Sequence, residues 1–163
     1  MREIGSSFLT MRLYISPVNG DELISDAYPA TPCPEQGALR FTGSYIEVEG
    51  GDDENKVMEK KIDIVHYFNL NKLELKKAAF NGWAKKFMPM RRAKLQETNP
   101  NLVNKFMDEA KKFVKYILDT FDNTEFYFGQ SCDPDDMFVI CQFNEEGTPY
   151  FYLLESAVDN MKC

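Results

Sequence analysis

The chain has 163 residues, 44% of them apolar, and a net charge of −7 from 19 Lys and Arg against 26 Asp and Glu. That composition can fill an ordinary core and does not read as disordered, and no apolar run approaches the roughly 20 residues that span a bilayer. The charge is segregated: residues 1–69 carry 6 basic and 12 acidic side chains, residues 70–120 carry 12 and 5, and residues 121–163 carry 1 and 9. A middle segment of net +7 between flanks of −6 and −8 presents a positive field that the overall pI of about 4.8 conceals. Such a field steers acidic partners, so the sequence argues for binding before it argues for catalysis.

Met1 to Thr10 lacks the continuous apolar stretch of a secretory signal, which makes a cytoplasmic protein the expectation. Short runs with β-branched or aromatic residues follow: Leu13 to Ile15, Ala38 to Thr42, Tyr45 to Val48 and Ile62 to Phe68. Pro29 to Pro34, with three prolines, is expected to be irregular, and Gly50 to Asn55 reads as a solvated acidic loop. A helical hairpin over about 72–121 comes next. Its first helix carries Leu75, Ala79, Phe80, Trp83, Ala84, Phe87 and Met88 as an apolar stripe, and Pro89 is expected to kink or break it. Its second helix opens on Asn99 as N-cap and Pro100, and its stripe is Leu102, Val103, Phe106, Met107, Ala110, Phe113, Val114, Ile117, Leu118 and Phe121. After the hairpin, Glu125 to Phe128, Met137 to Phe143 and Pro149 to Leu154 read as strands, with Asn144 to Thr148 as a turn. The order strands, helical hairpin, strands predicts an α+β fold in which the hairpin is inserted into a largely antiparallel sheet.

Catalytic signals are sparse. His66 is the single histidine and sits in an alternating run, so a hydrolytic triad is not indicated. Cys33, Cys132, Cys141 and Cys163 show no Cys-x-x-Cys spacing, which points to reduced thiols without a zinc or redox motif. Asp52-Asp53-Glu54 and Asp133-Pro134-Asp135-Asp136 could offer oxygen ligands to a hard cation, but neither has the frame of an EF-hand, so any calcium site is expected to be weak. Nucleic acid is disfavoured as the acidic partner, because RNP-type motifs are absent and the acidic remainder repels phosphate. An acidic protein surface fits the basic segment better.

Asp21-Glu22-Leu23-Ile24-Ser25-Asp26-Ala27-Tyr28 resembles a segment near the start of the translationally controlled tumour protein family. Tyr45 to Gly50, Ile62 to Val65, Phe126-Tyr127-Phe128-Gly129, Glu146 to Tyr150 and the terminal Met161-Lys162-Cys163 fall in that family's order. The resemblance covers nearly everything from Met11 onward, which leaves residues 1–10 as an extension or leader and 11–163 as one domain of that family's type. It implies a β-tent fold with a protruding helical hairpin, similar to guanine-nucleotide-free chaperones of Rab GTPases and to methionine sulfoxide reductases. It also implies a non-enzymatic cytoplasmic protein that binds calcium and tubulin and contacts small GTPases or translation elongation factors. By position, the partner-contact acidic residue is Glu22, with Asp21 and Asp26 beside it. The tubulin-associated basic segment is Lys76, Lys77, Lys85, Lys86, Arg91 and Arg92. The sequence departs from the family in the short connection Gly51 to Lys61, in Gln130 after the aromatic run, in Pro89, and in the proline-rich stretch. Functions placed in the family's longer loop therefore do not transfer. The alternative from another class is a thiol-dependent methionine sulfoxide reductase or a guanine-nucleotide exchange activity on the same fold.

Overall fold

A computed structural model describes residues 11–51 and 56–162. The strands run β1 (Arg12–Ile15), β2 (Glu22–Ser25), β3 (Ala30–Cys33), β4 (Ala38–Thr42), β5 (Tyr45–Gly50) and β6 (Val57–Ile62). A short helix α1 (Asp63–Tyr67) and strand β7 (Asn71–Leu73) lead into the helical hairpin, α2 (Lys77–Thr98) and α3 (Val103–Asp119). The chain closes with β8 (Glu125–Phe128), β9 (Phe138–Phe143), β10 (Pro149–Leu153) and β11 (Asp159–Lys162).

Every strand pair among the described residues is antiparallel. β3-β4-β10-β9-β8-β7 form a six-stranded sheet, β11-β1-β2 a three-stranded sheet, and β5-β6 a two-stranded ribbon. The large sheet is covered on both faces, which explains why β8, β9 and β10 read as nearly continuous apolar runs rather than alternating ones. On one face Phe126 and Phe138 meet Phe80 and Trp83 of α2, with Trp83 4.5 Å from Phe138 between ring centroids. On the other, Phe41 meets Tyr14 of β1 edge-on at 6.1 Å. Each buried aromatic ring contributes roughly 1.5–3 kcal/mol of transfer free energy. Phe80, Phe87, Phe106, Phe113, Phe128, Phe138 and Phe151 are all fully buried, so this cluster sets the fold's stability.

Several sequence expectations need correction. Ile62 to Phe68 is not a strand: β6 ends at Ile62 and α1 begins at Asp63. The Asp63 carboxylate accepts from the Ser44 N–H and hydroxyl, 19 residues back, and from the Ile64 N–H, and that capture sits where the strand gives way to the helix. The proline-rich stretch is partly regular, with Pro32 in β3 opposite Leu39. β3 is an edge strand, where a proline's missing N–H can face away from the ladder. Helix α2 runs unbroken through Pro89, which lies on its exposed side. The hairpin starts at Lys77, later than expected, because Lys72 belongs to β7. Asn99 makes no side-chain cap, and Pro100 to Leu102 form a 3-10 turn whose Leu102 N–H donates to the Asn99 carbonyl at 3.0 Å. Met107, assigned to the apolar stripe, is exposed.

Candidate interaction surfaces

The two expected surfaces differ in how their charged groups are held. Around Glu22, the turn between β1 and β2 is locked by hydrogen bonds from a distant loop. The buried Asp136 carboxylate accepts the N–H groups of Val18 at 3.2 Å, Asn19 at 3.0 Å and its neighbour Met137 at 2.7 Å. The Asp136 carbonyl accepts the Trp83 indole N–H at 2.9 Å, which ties the same loop to α2. Asp133 accepts from the Asn19 side chain and from the Asp135 N–H. In the acidic run whose oxygens could have served a cation, Asp133 and Asp136 are therefore engaged in accepting these hydrogen bonds. Among the described residues, no group of three or more His, Cys, Asp or Glu side chains is arranged to hold a metal ion. Asp52, Asp53 and Glu54 lie outside the described residues.

Of the three acidic residues expected to contact a partner, two have local duties. Asp21 accepts the Ser131 hydroxyl at 2.8 Å and the Ser131 N–H at 3.0 Å, and it packs so closely on Gly129 that a Cβ there would meet its side chain at 2.4 Å. Asp26 accepts the Arg12 N–H at 2.9 Å and extends the pairing of β1 with β2. Glu22, the first residue of β2, is exposed and forms no ion pair among the described residues. Buried Leu23 and Ile24 anchor the backbone beneath it. Gly20 (φ +73), Tyr67, Asn69 and Gln130 share a depression with Glu22; neither Tyr67 nor Asn69 was singled out from the sequence.

On the hairpin, Lys76, Lys77, Lys85, Lys86 and Arg92 are exposed, but Arg91 is 5% exposed. Its Nε donates to the Ser156 carbonyl at 3.2 Å, one terminal nitrogen to Asp159 at 3.0 Å and the other to the Val158 carbonyl at 3.0 Å. Arg91 thus fastens the chain leading into β11 onto α2 and leaves the exposed set. The signal was in the spacing: Trp83, Phe87, Arg91 and Leu95 follow one another every four residues along the buried stripe. Lys86 pairs with Asp135 at 3.4 Å, an exposed contact of modest strength. Lys77 lies 5.9 Å from the Phe121 ring centroid.

Cys141 is fully buried, and burial together with the Glu125 carboxylate pushes its thiol well above the usual range. Cys33, Cys132 and Cys141 are all free.

A double-covered antiparallel sheet with a basic helical hairpin packed on one face and an acidic, hydrogen-bonded turn defines a mixed α+β protein with exposed charged surfaces. The chain belongs to the translationally controlled tumour protein family, whose profile matches residues 11–159. The homolog from Saccharomyces cerevisiae is 35% identical over 154 residues, covering 86% of this chain and 92% of the relative. That from Kluyveromyces lactis is 32% identical over the same shares. The solved structure of translationally controlled tumor-associated protein p23fyp from Schizosaccharomyces pombe superposes with a TM-score of 0.81 at 29% identity, covering 93% of this chain and 99% of that one. The Caenorhabditis elegans family member, at 19% identity and a TM-score of 0.66 over 93% and 98% of the two chains, shares the fold. Among the described residues, no helix is long and apolar enough to cross a membrane.

Proposed function

We propose that the chain is a non-enzymatic cytoplasmic binding protein that uses its helical hairpin against an acidic protein surface of the tubulin kind. The observation that carries this reading is the exposed cationic set Lys76, Lys77, Lys85, Lys86 and Arg92 within a segment of net +7, on a protein otherwise acidic. The outer side of α2 holds Lys85 and Arg92 seven residues apart, two turns along one face, without an ion pair among the described residues. Exposed charges of this kind weaken with salt, because the Debye length is about 8 Å at physiological ionic strength. The test is microtubule co-sedimentation across a salt series. Lys85, Lys86 and Arg92 changed together to Ser should lower the bound fraction, and undiminished sedimentation would overturn the reading.

The second surface is Glu22, proposed as the contact for a small GTPase or a translation elongation factor. It is supported by the carboxylate's exposure on a backbone fixed by Leu23, Ile24 and the Asp136 and Asp21 contacts. Calcium is proposed as a weak ligand, with a dissociation constant of roughly 10⁻⁴ to 10⁻³ M, since the described residues hold no rigid multi-carboxylate frame. Calorimetry showing micromolar affinity would overturn that value.

A further inference from the structure

Tyr67 is 60% exposed, and the local fold forces it outward. Ile64 is buried, and Phe68, the residue that follows α1, is partly buried against the core, where it meets Tyr28 edge-on at 6.1 Å. Asn69 (φ +54) follows the end of the helix, and Tyr67 lines the same depression as Glu22 and Gln130. Among the described residues, no Lys or Arg lines that depression. The depression is therefore lined both by an exposed carboxylate with no ion pair among the described residues and by an exposed aromatic residue, with the Gln130 and Asn69 amides able to accept further hydrogen bonds.

We infer that this depression receives an arginine side chain of a protein partner, held between the Glu22 carboxylate and the Tyr67 ring. The inference rests on reading Glu22 as a partner contact and adds the chemistry of what it contacts. A guanidinium is planar, so one face can stack on the ring while its edge donates a two-pronged pair to the carboxylate. It is also more weakly hydrated than an ammonium, so it loses less on entering a partly enclosed site. Lysine matches the charge but neither the plane nor the fork. Tyrosine and arginine are among the residues that dominate interface energetics, which agrees with a tyrosine that stays largely exposed here although the His66 ring meets it edge-on at 5.3 Å. The site is preorganised: Asp21 and Asp136 hold the turn that carries Glu22, so little ordering remains when the partner arrives.

The probe is N-acetyl-argininamide titrated into the isotope-labelled full chain and followed by amide chemical shifts, with N-acetyl-lysinamide as the comparison. Saturable shifts are expected at Gly20 to Glu22, Tyr67 to Asn69 and Gln130, with the arginine probe about 3-fold or more tighter than the lysine probe. Tyr67→Ala and Glu22→Gln should each weaken the arginine probe about 3-fold or more, while Tyr67→Phe retains it, because the ring face is kept. Shifts centred elsewhere, equal behaviour of the two probes, or a Tyr67→Ala variant that binds like the wild type overturns the inference. Melting temperatures confirm that each variant is folded. Retention of a GTPase-class partner by Tyr67→Ala but not by Glu22→Val overturns the arginine site alone, whereas retention by Glu22→Val overturns the parent reading.

Discussion

Arg91 and Arg92 are neighbours with the same charge and opposite fates, and the turn around Asp21 and Glu22 repeats the pattern in acid. Arg91 and Asp21 are surrounded by backbone groups that need partners, so their charge is used internally. Arg92 and Glu22 sit one residue away, exposed, and keep theirs for solvent or a partner. The charge of a residue therefore says little about its role until the number of donors or acceptors aimed at it is known. A buried hydrogen-bonded ion is costly to remove, and an exposed one is nearly free to change.

The comparison breaks most visibly at Asp136. Removing a buried carboxylate that accepts three N–H groups leaves those donors unpaired, so Asp136→Ala should destabilise by about 3 kcal/mol. For a chain of this size that is a fall in melting temperature of about 6–12 °C. A calorimetric shift under about 2 °C would mean that water replaces the carboxylate.

A smaller effect separates the arginines. Arg91→Lys keeps the charge but loses the fork to Ser156, Val158 and Asp159, and should cost about 2 kcal/mol. Arg92→Ser should stay within about 0.5 kcal/mol while lowering microtubule co-sedimentation. Denaturant titration of the two variants, paired with the sedimentation assay, should give opposite rankings. The same ranking in both assays would erase the distinction.

Alkaline pH probes the hydroxyls that burial has taken out of water. Burial and the Glu155 carboxylate push the Tyr14 hydroxyl up to about 12, and burial also raises Tyr116 and Tyr127. The folded state holds these protons more tightly than the unfolded chain does, so their contribution is intact below about pH 10 and lost as pH rises toward 12. Tyr14→Phe should flatten that part of the stability curve, as read by unfolding between pH 9 and 12.

The smallest contrast is Asp21→Ala against Glu22→Val. Losing the two contacts to Ser131 should cost about 1 kcal/mol, whereas Glu22→Val should leave stability within about 0.5 kcal/mol and weaken the partner complex. A large fall in melting temperature for Glu22→Val would make it structural instead.

The sequence by itself determined much of the architecture. The helical hairpin was legible because its apolar side chains recur at three and four, and three of the four strands after it because aromatic and β-branched runs alternate with Gly and Pro turns. The segregation of charge was legible as simple counting. The position of Arg91 on the buried stripe could have been read from the same periodicity, but its charge concealed it. Only the tertiary structure decided the rest. Whether Ile62 to Phe68 extends or coils depended on Ser44 meeting Asp63 from 19 residues away, and whether Pro32 could join a sheet depended on its strand falling at the edge. The placement of Glu22 and Tyr67 around one depression, and the diversion of Asp136 into holding residues 18 and 19, bring together segments more than 40 and 100 residues apart. Local pattern carries information about which face of an element is apolar. It carries none about which distant donor will reach a given carboxylate, because that is set by how the elements pack.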